Sequence, residues 1–182
     1  MRVPTLAILA CSLLGACAST PSPIAQTLPP AASGYVDKAT RMPGGLLIGG
    51  QPTQADWPAL KAAGIRRVIN LRTPEEMGTI GYDQAAELQA LGISYQTHPV
   101  GGNAHPYTPA LVEVFDAQMR AGGGDLLLHC ASGVRAGQLY AAWLVRYRGY
   151  TPEAALRTLE PLGGWPLPLE KLLGRPLRVE WR

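Results

Sequence analysis

The sequence is poor in cysteine, and this limits what its thiols can do. Its 182 residues include three cysteines, Cys11, Cys17 and Cys130, whose spacings match no zinc or haem motif. The first two fall in an apolar N-terminal segment, so one thiol remains in the body of the chain. This excludes an intramolecular disulfide framework, while a disulfide to another chain stays open.

Charged residues are also scarce, and those present are not clustered. They make up 16% of the chain and leave a formal net charge of +3. The basic residues are scattered, from the Arg66-Arg67 pair to Arg178. A nucleic-acid-binding protein normally gathers its positive charge into a stripe or patch. We therefore expect no nucleic-acid partner, and the length suits one domain plus an export segment.

An apolar run marks the N-terminus. It extends from Val3 to Ala16 after the positive charge of Arg2, a length that is typical of a signal peptide and too short to cross a bilayer. The stretch Leu14–Cys17 resembles a bacterial lipobox, in which the cysteine is acylated and becomes the new N-terminus. We predict a signal peptide over residues 1–16 and lipidation of Cys17. The alternative is an ordinary signal peptide with an incidental cysteine.

The next segment predicts how the domain is attached. Residues 17–34 form the predicted lipidated N-terminus and flexible tether, because they are rich in Pro, Ser, Thr and Ala. Several acyl chains would anchor the exported protein stably to a membrane, on its periplasmic side. Ala18 stands where Asp is associated with retention in the inner membrane. The expected location is therefore the outer membrane.

From Leu46 onward, short apolar strands alternate with amphipathic helices. The predicted strands are Leu46–Ile48, Arg67–Leu71, Ile93–His98 and Asp125–His129. The predicted helices cover 53–63, 82–91, 109–121, 135–148 and 151–162, and no element is predicted after 162. This alternation predicts an α/β fold with a central parallel sheet of about four to five strands flanked by helices. We assign residues 35–182 to this one domain and expect its site beyond the carboxyl ends of the strands.

The loop after the last predicted strand carries the candidate chemistry. The partial positive charge at the start of the following helix favours a thiolate at Cys130, and Arg135 can bring a planar guanidinium to the same anion. Backbone N–H groups of the loop can form an anion cradle. The four predicted anion-binding residues are Ala131, Ser132, Gly133 and Val134. The alternative is a buried structural cysteine followed by a surface arginine.

Two upstream segments strengthen the functional interpretation. Together with Ile48–Thr53 and Gly64–Arg72, the cysteine loop resembles the phosphatase-like domain family of bacterial beta-lactamase hydrolase-like proteins, which is related to dual-specificity phosphatases. The resemblance covers residues 43–162. It implies a cysteine-dependent phosphatase, in which the Cys130 thiolate forms a thiophosphoryl intermediate that water hydrolyses. Loop amides and Arg135 would stabilise the phosphoryl oxygens, with no metal and no cofactor. The implied substrate is a phosphorylated small molecule or a protein carrying phosphotyrosine or phosphoserine.

The chain departs from the usual phosphatase pattern at three points. Four residues separate Cys130 from Arg135, one fewer than in usual phosphatase loops and typical of rhodaneses. Ala136 stands where Ser or Thr usually helps the thiolate leave, and Ser132 is a possible substitute for it. No Asp lies between Asp83 and Asp116 to act as general acid.

Three other side chains each have two interpretations. His105 is a candidate general acid, since histidine titrates near neutral pH, or it is a solvated loop residue. Arg72 shapes the anion site or pairs with Glu75 or Glu76. His129 orients the loop through backbone hydrogen bonds or raises the thiolate fraction.

The sequence thus predicts a phosphatase and leaves two alternatives. One is a rhodanese-like sulfurtransferase, which the four-residue spacing favours. The other is a catalytically inactive anion-binding module of the cell envelope. The absence of an Asp general acid and the presence of Ala136 after Arg135 favour this alternative.

Overall fold

The structure is a computed structural model that describes residues 34–162 and 166–178. The predicted signal peptide, the predicted lipidation site Cys17 and the predicted tether up to residue 33 lie outside the described residues. Within the described ranges, no helix is long and apolar enough to cross a membrane.

Five short strands form one mixed sheet with the order β1-β2-β5-β3-β4. The strands are β1 (Thr40–Arg41), β2 (Leu47–Gly49), β3 (Arg67–Asn70), β4 (Ser94–Thr97) and β5 (Leu126–His129). The last four pair in parallel, and β1 pairs antiparallel to β2. The predicted α/β fold is confirmed. The sequence did not predict β1, because two polar residues carry no strand pattern.

Helices precede, separate and follow the strands. Those in the described part of the chain are α1 (Gly34–Lys38), α2 (Trp57–Ala62), α3 (Pro74–Met77), α4 (Gln84–Ala90), α5 (Pro109–Arg120), α6 (Val134–Tyr147), α7 (Pro152–Arg157) and α8 (Pro166–Leu173).

The observed helices differ from the predicted ones in two ways. The helix predicted over 53–63 is a 3-10 turn, Gln54–Asp56, followed by α2, and the helix predicted to reach 162 ends at Arg157. Helices α1, α3 and α8 were not predicted from the sequence. Helices α1 and α3 span little more than one turn, which is too short to show a helical pattern of apolar residues. Helix α8 lies in a proline-rich segment and is stabilised by burial of Leu169 and Leu172.

The sheet separates two hydrophobic cores. Along β5, Leu126 and Leu128 face a core formed with α5, α6, α7 and α8, whereas Leu127 faces a core formed with α2 and α4. This alternation follows from the two-residue period of a strand. All three leucines are buried because β5 is the central strand, covered on both faces.

The register brings three strand ends to the same level. Gly49 of β2 and Asn70 of β3 both pair with His129 of β5. The loops that follow these strands carry Gln51, Arg72 and Cys130. The register therefore places the beginnings of these three loops along one edge of the sheet, as predicted for a parallel arrangement.

Candidate active site

Cys130 lies at the carboxyl end of the central strand, at the base of its loop. Its side chain is 1% exposed and belongs to the core beneath α6, yet its Sγ accepts the backbone N–H of Gly133 at 3.1 Å. Gly133 has a φ of +94°, a left-handed conformation that favours glycine. Ala131 and Ser132 are exposed. The thiol therefore lies beneath a loop whose outer residues face solvent.

The loop leads directly into α6. Gly133 is the residue before the helix and offers no side chain to cap it. The first hydrogen bond of the helix runs from the N–H of Gly137 to the carbonyl of Gly133 at 2.9 Å. Uncapped N–H groups and the helix dipole at this end favour binding of an anion. Val134 and Arg135 are the first two residues of α6, so the structure brings the predicted anion-binding residues together.

Arg135 is turned inward and held on several sides. Its guanidinium contacts both carboxylate oxygens of Glu76 at 2.6 and 2.8 Å and donates to the carbonyl of Val100 at 2.7 Å. The hydrogen bond to Glu76 raises the pKa of Arg135, and its interactions with Cys130 raise it further. The same hydrogen bond lowers the pKa of Glu76 to about 2. The arginine is therefore charged and fixed in place.

The pairing of Glu76 with Arg135 was not predicted from the sequence. Glu76 lies in α3, where Thr73 and Glu76 form a reciprocal capping box and Pro74 occupies the first turn. The segment Thr-Pro-Glu-Glu predicts a helix start, and this signal could have located the carboxylate on a one-turn helix. Nothing local indicates its pairing with an arginine 59 residues away.

Arg72 lies beside this cluster, and its guanidinium pairs with neither predicted carboxylate. It donates to Oε1 of Gln51 at 2.8 Å and to the main-chain carbonyl of Glu76 at 2.8 Å. Its position at the end of β3 agrees with the prediction, while its part in substrate binding stays a prediction.

His105 shares a cavity with Arg135. The cavity has a volume of about 420 Å³ and is also lined by Glu75, Glu76 and Asn103. The loop that carries His105 is closed by a hydrogen bond from the N–H of Gly101 to the His105 carbonyl at 2.6 Å. The structure thus brings the candidate general acid to the cavity that Arg135 lines, and its role as an acid stays a prediction.

Asp116 has a structural role in α5. Its carboxylate accepts the indole N–H of Trp143 at 3.0 Å and pairs with Arg120 at 2.6 Å. Among the described residues, no cluster of three or more His, Cys, Asp or Glu side chains could hold a metal ion.

His129 is fully buried behind the cysteine loop. Its Nδ1 lies 3.4 Å from the carbonyl of Cys130, and its Nε2 lies 3.0 Å from Nε2 of Gln84. Burial lowers the pKa of His129 to about 3, so the ring is neutral near pH 7. A neutral ring attracts no thiolate by charge, and the geometry favours the interpretation that His129 orients the loop.

Comparison with known families assigns the chain that carries this site to a family. Residues 43–145 match the family described as beta-lactamase hydrolase-like protein, phosphatase-like domain. The chain belongs to this family. The matched range contains Gln51, Glu76, Cys130 and Arg135, whereas α1 and β1 precede it and α7 and α8 follow it.

Curated relatives of this phosphatase-like domain are longer proteins. A beta-lactamase hydrolase-like protein of Agrobacterium fabrum strain C58 is 38% identical over 105 residues, which are 57% of this chain and 24% of that protein. One from Xylella fastidiosa strain Temecula1 is 38% identical over 99 residues, 53% of this chain and 22% of that protein. The match therefore spans about a quarter of the length of these relatives.

Solved structures show the same fold. A DUF442 protein from Shewanella putrefaciens CN-32 is 26% identical with a TM-score of 0.56, over 75% of this chain and 86% of that one. The active form of Tk-PTP is 22% identical with a TM-score of 0.60, over 76% and 98%. PTPMT1 in complex with PI(5)P is 20% identical with a TM-score of 0.63, over 76% and 94%. The phosphatase-like domain therefore has the fold of cysteine-type phosphatases.

Proposed function

We propose that the phosphatase-like domain hydrolyses phosphate monoesters with Cys130 as the nucleophile. The observation that carries this proposal is the contact between Sγ and the Gly133 N–H at 3.1 Å, directly before a helix whose second residue is Arg135. A nucleophile, backbone donors and a fixed guanidinium within six residues are the groups that transfer of a phosphoryl group requires.

The reaction would proceed in two displacements. The Cys130 thiolate attacks phosphorus, an S–P bond forms, and the P–O bond to the alcohol breaks. The loop N–H groups and Arg135 bind the phosphoryl oxygens, and the departing oxygen takes a proton from His105 or from water in the adjoining cavity. Water then attacks phosphorus, releases inorganic phosphate and restores the thiolate.

The direct test is turnover of p-nitrophenyl phosphate by the wild type and by Cys130→Ser. We expect hydrolysis by the wild type alone, and a phosphoryl adduct on the wild-type protein trapped by rapid acid quench. Equal turnover by Cys130→Ser, or no turnover of any phosphorylated compound, would contradict the proposal.

The substrate class is part of the proposal. PTPMT1 has been crystallised with PI(5)P, so a phosphorylated lipid headgroup belongs in the substrate panel beside phosphotyrosine and phosphoserine peptides and small phosphate esters. We expect phosphorylated protein or small-molecule substrates to be hydrolysed, and kcat/KM across the panel ranks the classes.

A rhodanese-like sulfurtransferase is the second candidate, because four residues separate Cys130 from Arg135. A shorter loop makes a narrower cradle, which suits a single sulfur atom on the cysteine better than a phosphoryl group. Thiosulfate treatment followed by mass spectrometry tests this candidate. A mass increase of one sulfur atom on Cys130, with transfer to cyanide, would favour it over the phosphatase.

Binding without turnover would favour the third candidate, an inactive envelope module. In that case sulfate or a phosphoprotein binds the wild type and binds Arg135→Ala more weakly, while no Cys130-dependent reaction occurs.

We also propose that residues 35–182 are an exported domain that a lipid on Cys17 and the tether hold on the periplasmic side of the outer membrane. The basis is the lipobox-like stretch that ends at Cys17. Fractionation of cells that express the wild type or Cys17→Ser tests it. We expect the wild type in outer-membrane fractions and the variant released from them, whereas equal distribution of the two would contradict lipidation.

A further inference from the structure

A line of hydrogen-bonded side chains runs from Arg72 to the main chain of Cys130. The guanidinium Nη1 of Arg72 lies 2.8 Å from Oε1 of Gln51, and Nε2 of Gln51 lies 2.7 Å from Oε1 of Gln84. Nε2 of Gln84 lies 3.0 Å from Nε2 of His129, whose Nδ1 lies 3.4 Å from the carbonyl oxygen of Cys130. Side chains from two loops, one helix and the last residue of β5 are therefore connected to the nucleophile's own peptide unit.

The donor and acceptor groups of these side chains fix the direction of each hydrogen bond along this line. A guanidinium can only donate, so Gln51 must present its oxygen to Arg72 and its NH₂ group to Gln84. Gln84 then presents its oxygen to Gln51 and its NH₂ group to His129. Nε2 of His129 must accept, so a neutral ring carries its proton on Nδ1, where it faces the Cys130 carbonyl.

Burial of Gln84 and His129 makes the loss of these hydrogen bonds costly. Gln84 is 2% exposed and His129 is fully buried, so water does not readily replace a lost partner, and an unpaired polar group there is costly. Gln51 also contacts the loop through its main chain, since its N–H donates to the carbonyl of Ala131 at 3.1 Å. Gln51 therefore holds the loop both directly and through the side-chain line.

We propose that Gln51 and Gln84 are positioning residues that keep His129 in the Nδ1–H tautomer and thereby hold the Cys130 loop in its working geometry. The part of the inference that concerns turnover rests on the proposed function. The part that concerns the tautomer and the thiol does not.

The first test uses the wild type. Nitrogen-15 NMR of histidine-labelled protein distinguishes the two ring nitrogens, and the chain has three histidines to assign. We expect His129 to show a protonated Nδ1 and a bare Nε2 at pH 7. The opposite tautomer would overturn the inference, and this outcome needs no variant to fold.

The second test is Gln51→Glu, which changes a residue that is hydrogen-bonded to Gln84, while Gln84 makes the hydrogen bond to His129. A carboxylate keeps the contact with Arg72 and can no longer donate to Gln84. We expect the Gln84 amide to turn over and donate to Glu, which brings its oxygen to Nε2 of His129 and moves the ring proton to Nε2. We expect an inverted tautomer and alkylation of Cys130 by iodoacetamide that is about tenfold slower, the effect of about one hydrogen bond.

Gln96→Glu is the matched control. Gln96 also contacts a histidine, with its Oε1 3.4 Å from Nε2 of His98, but it lies on the edge strand β4 outside the line. We expect the control to leave the His129 tautomer and the alkylation rate unchanged. A wild-type tautomer and a wild-type alkylation rate in Gln51→Glu would overturn the inference.

Kinetics separate this inference from the proposed function. If the domain is a phosphatase, Gln51→Glu lowers kcat about tenfold and changes KM less than about twofold, because the phosphate-binding groups remain. If no substrate is turned over while the tautomer inverts and alkylation slows, the proposed function fails and the positioning role stands.

Discussion

Replacing Glu76 with glutamine tests the ion pair that holds Arg135 beside Cys130. The carboxylate contacts the guanidinium through both oxygens, at 2.6 and 2.8 Å, and the two side chains are 31% and 17% exposed. Glutamine has the same shape, keeps one oxygen as an acceptor and removes the charge. The substitution therefore removes the negative charge together with one of the two hydrogen-bond acceptors that face Arg135.

The size of the effect follows from the pKa of Glu76. Its fall from the usual 4.5 to about 2 corresponds to about 3 kcal/mol of stabilisation of the charged form. Solvent reaches part of the carboxyl group and screens the pair, so we expect Glu76→Gln to lower the free energy of unfolding by about 2 kcal/mol at pH 7. For a domain of this size, this is a fall in Tm of about 4–8 °C.

The same pKa shift predicts how the difference depends on pH. A carboxyl group whose pKa is lower in the folded state stabilises the protein above its unfolded-state pKa, and that stability is lost as the pH falls through the folded-state pKa. The wild type therefore loses the stabilisation from the charged Glu76 between about pH 4.5 and pH 2. Glu76→Gln lacks this stabilisation at every pH, so the unfolding free energies of the two proteins converge over this range.

Thermal unfolding followed by circular dichroism at pH 7 and pH 3 measures both effects. Glu75→Gln is the matched control, since Glu75 is the exposed neighbour in the same helix and the ion pair with Arg135 is made by Glu76. We expect the control to melt like the wild type. The reasoning is refuted if Glu76→Gln also melts like the wild type at pH 7, or if its deficit is as large at pH 3 as at pH 7.

Three other perturbations test neighbouring features. Tyr35→Phe removes the hydroxyl that donates to the Gly50 carbonyl at 2.8 Å, and we expect unfolding in urea to show a loss of about 1 kcal/mol; an unchanged midpoint would mean that α1 does not support the site turn. Gly133→Ala places a side chain at a φ of +94°, and we expect a loss of about 1–2 kcal/mol together with slower alkylation of Cys130. Burial lowers the pKa of His129 from the usual 6.5 to about 3. Between these two pH values the unfolded state binds a proton on His129 and the folded state does not. Stability should therefore fall as the pH is lowered from about 6.5 toward 3, measured as urea midpoints in a His98→Gln background, because burial also lowers the pKa of His98.

Several parts of the fold could be read from local patterns. The apolar run Leu126–Leu128 predicts a buried strand, and the observed β5 ends at His129 as expected. The following helix was predicted from Arg135 and begins at Val134. Glycine before it, a cysteine at the strand end and an arginine in the first turn are neighbours in the chain, so their proximity needs no knowledge of the rest of the molecule.

The missed elements are those whose stability comes from distant contacts. The single turn of α3 is too short to form alone, and it is held because Glu76 binds Arg135 across the sheet edge. The two residues of β1 gain their strand conformation by pairing with Leu47 and Ile48. Helix α1 likewise rests on Tyr35, which bonds to the turn after β2.

The sequence by itself determined the alternation of strands and helices and the loop that runs from Cys130 to Arg135, because strand period, helix caps and loop spacing depend only on residues that are near in the chain. Only the tertiary structure decided what surrounds that loop. Strand order places β5 between β2 and β3, and this brings Gln51, Glu76 and Gln84 to a cysteine at least 46 residues away. Contacts of that kind depend on which strands pair and which helices cover them, and those choices are made by the burial of both faces of the whole sheet.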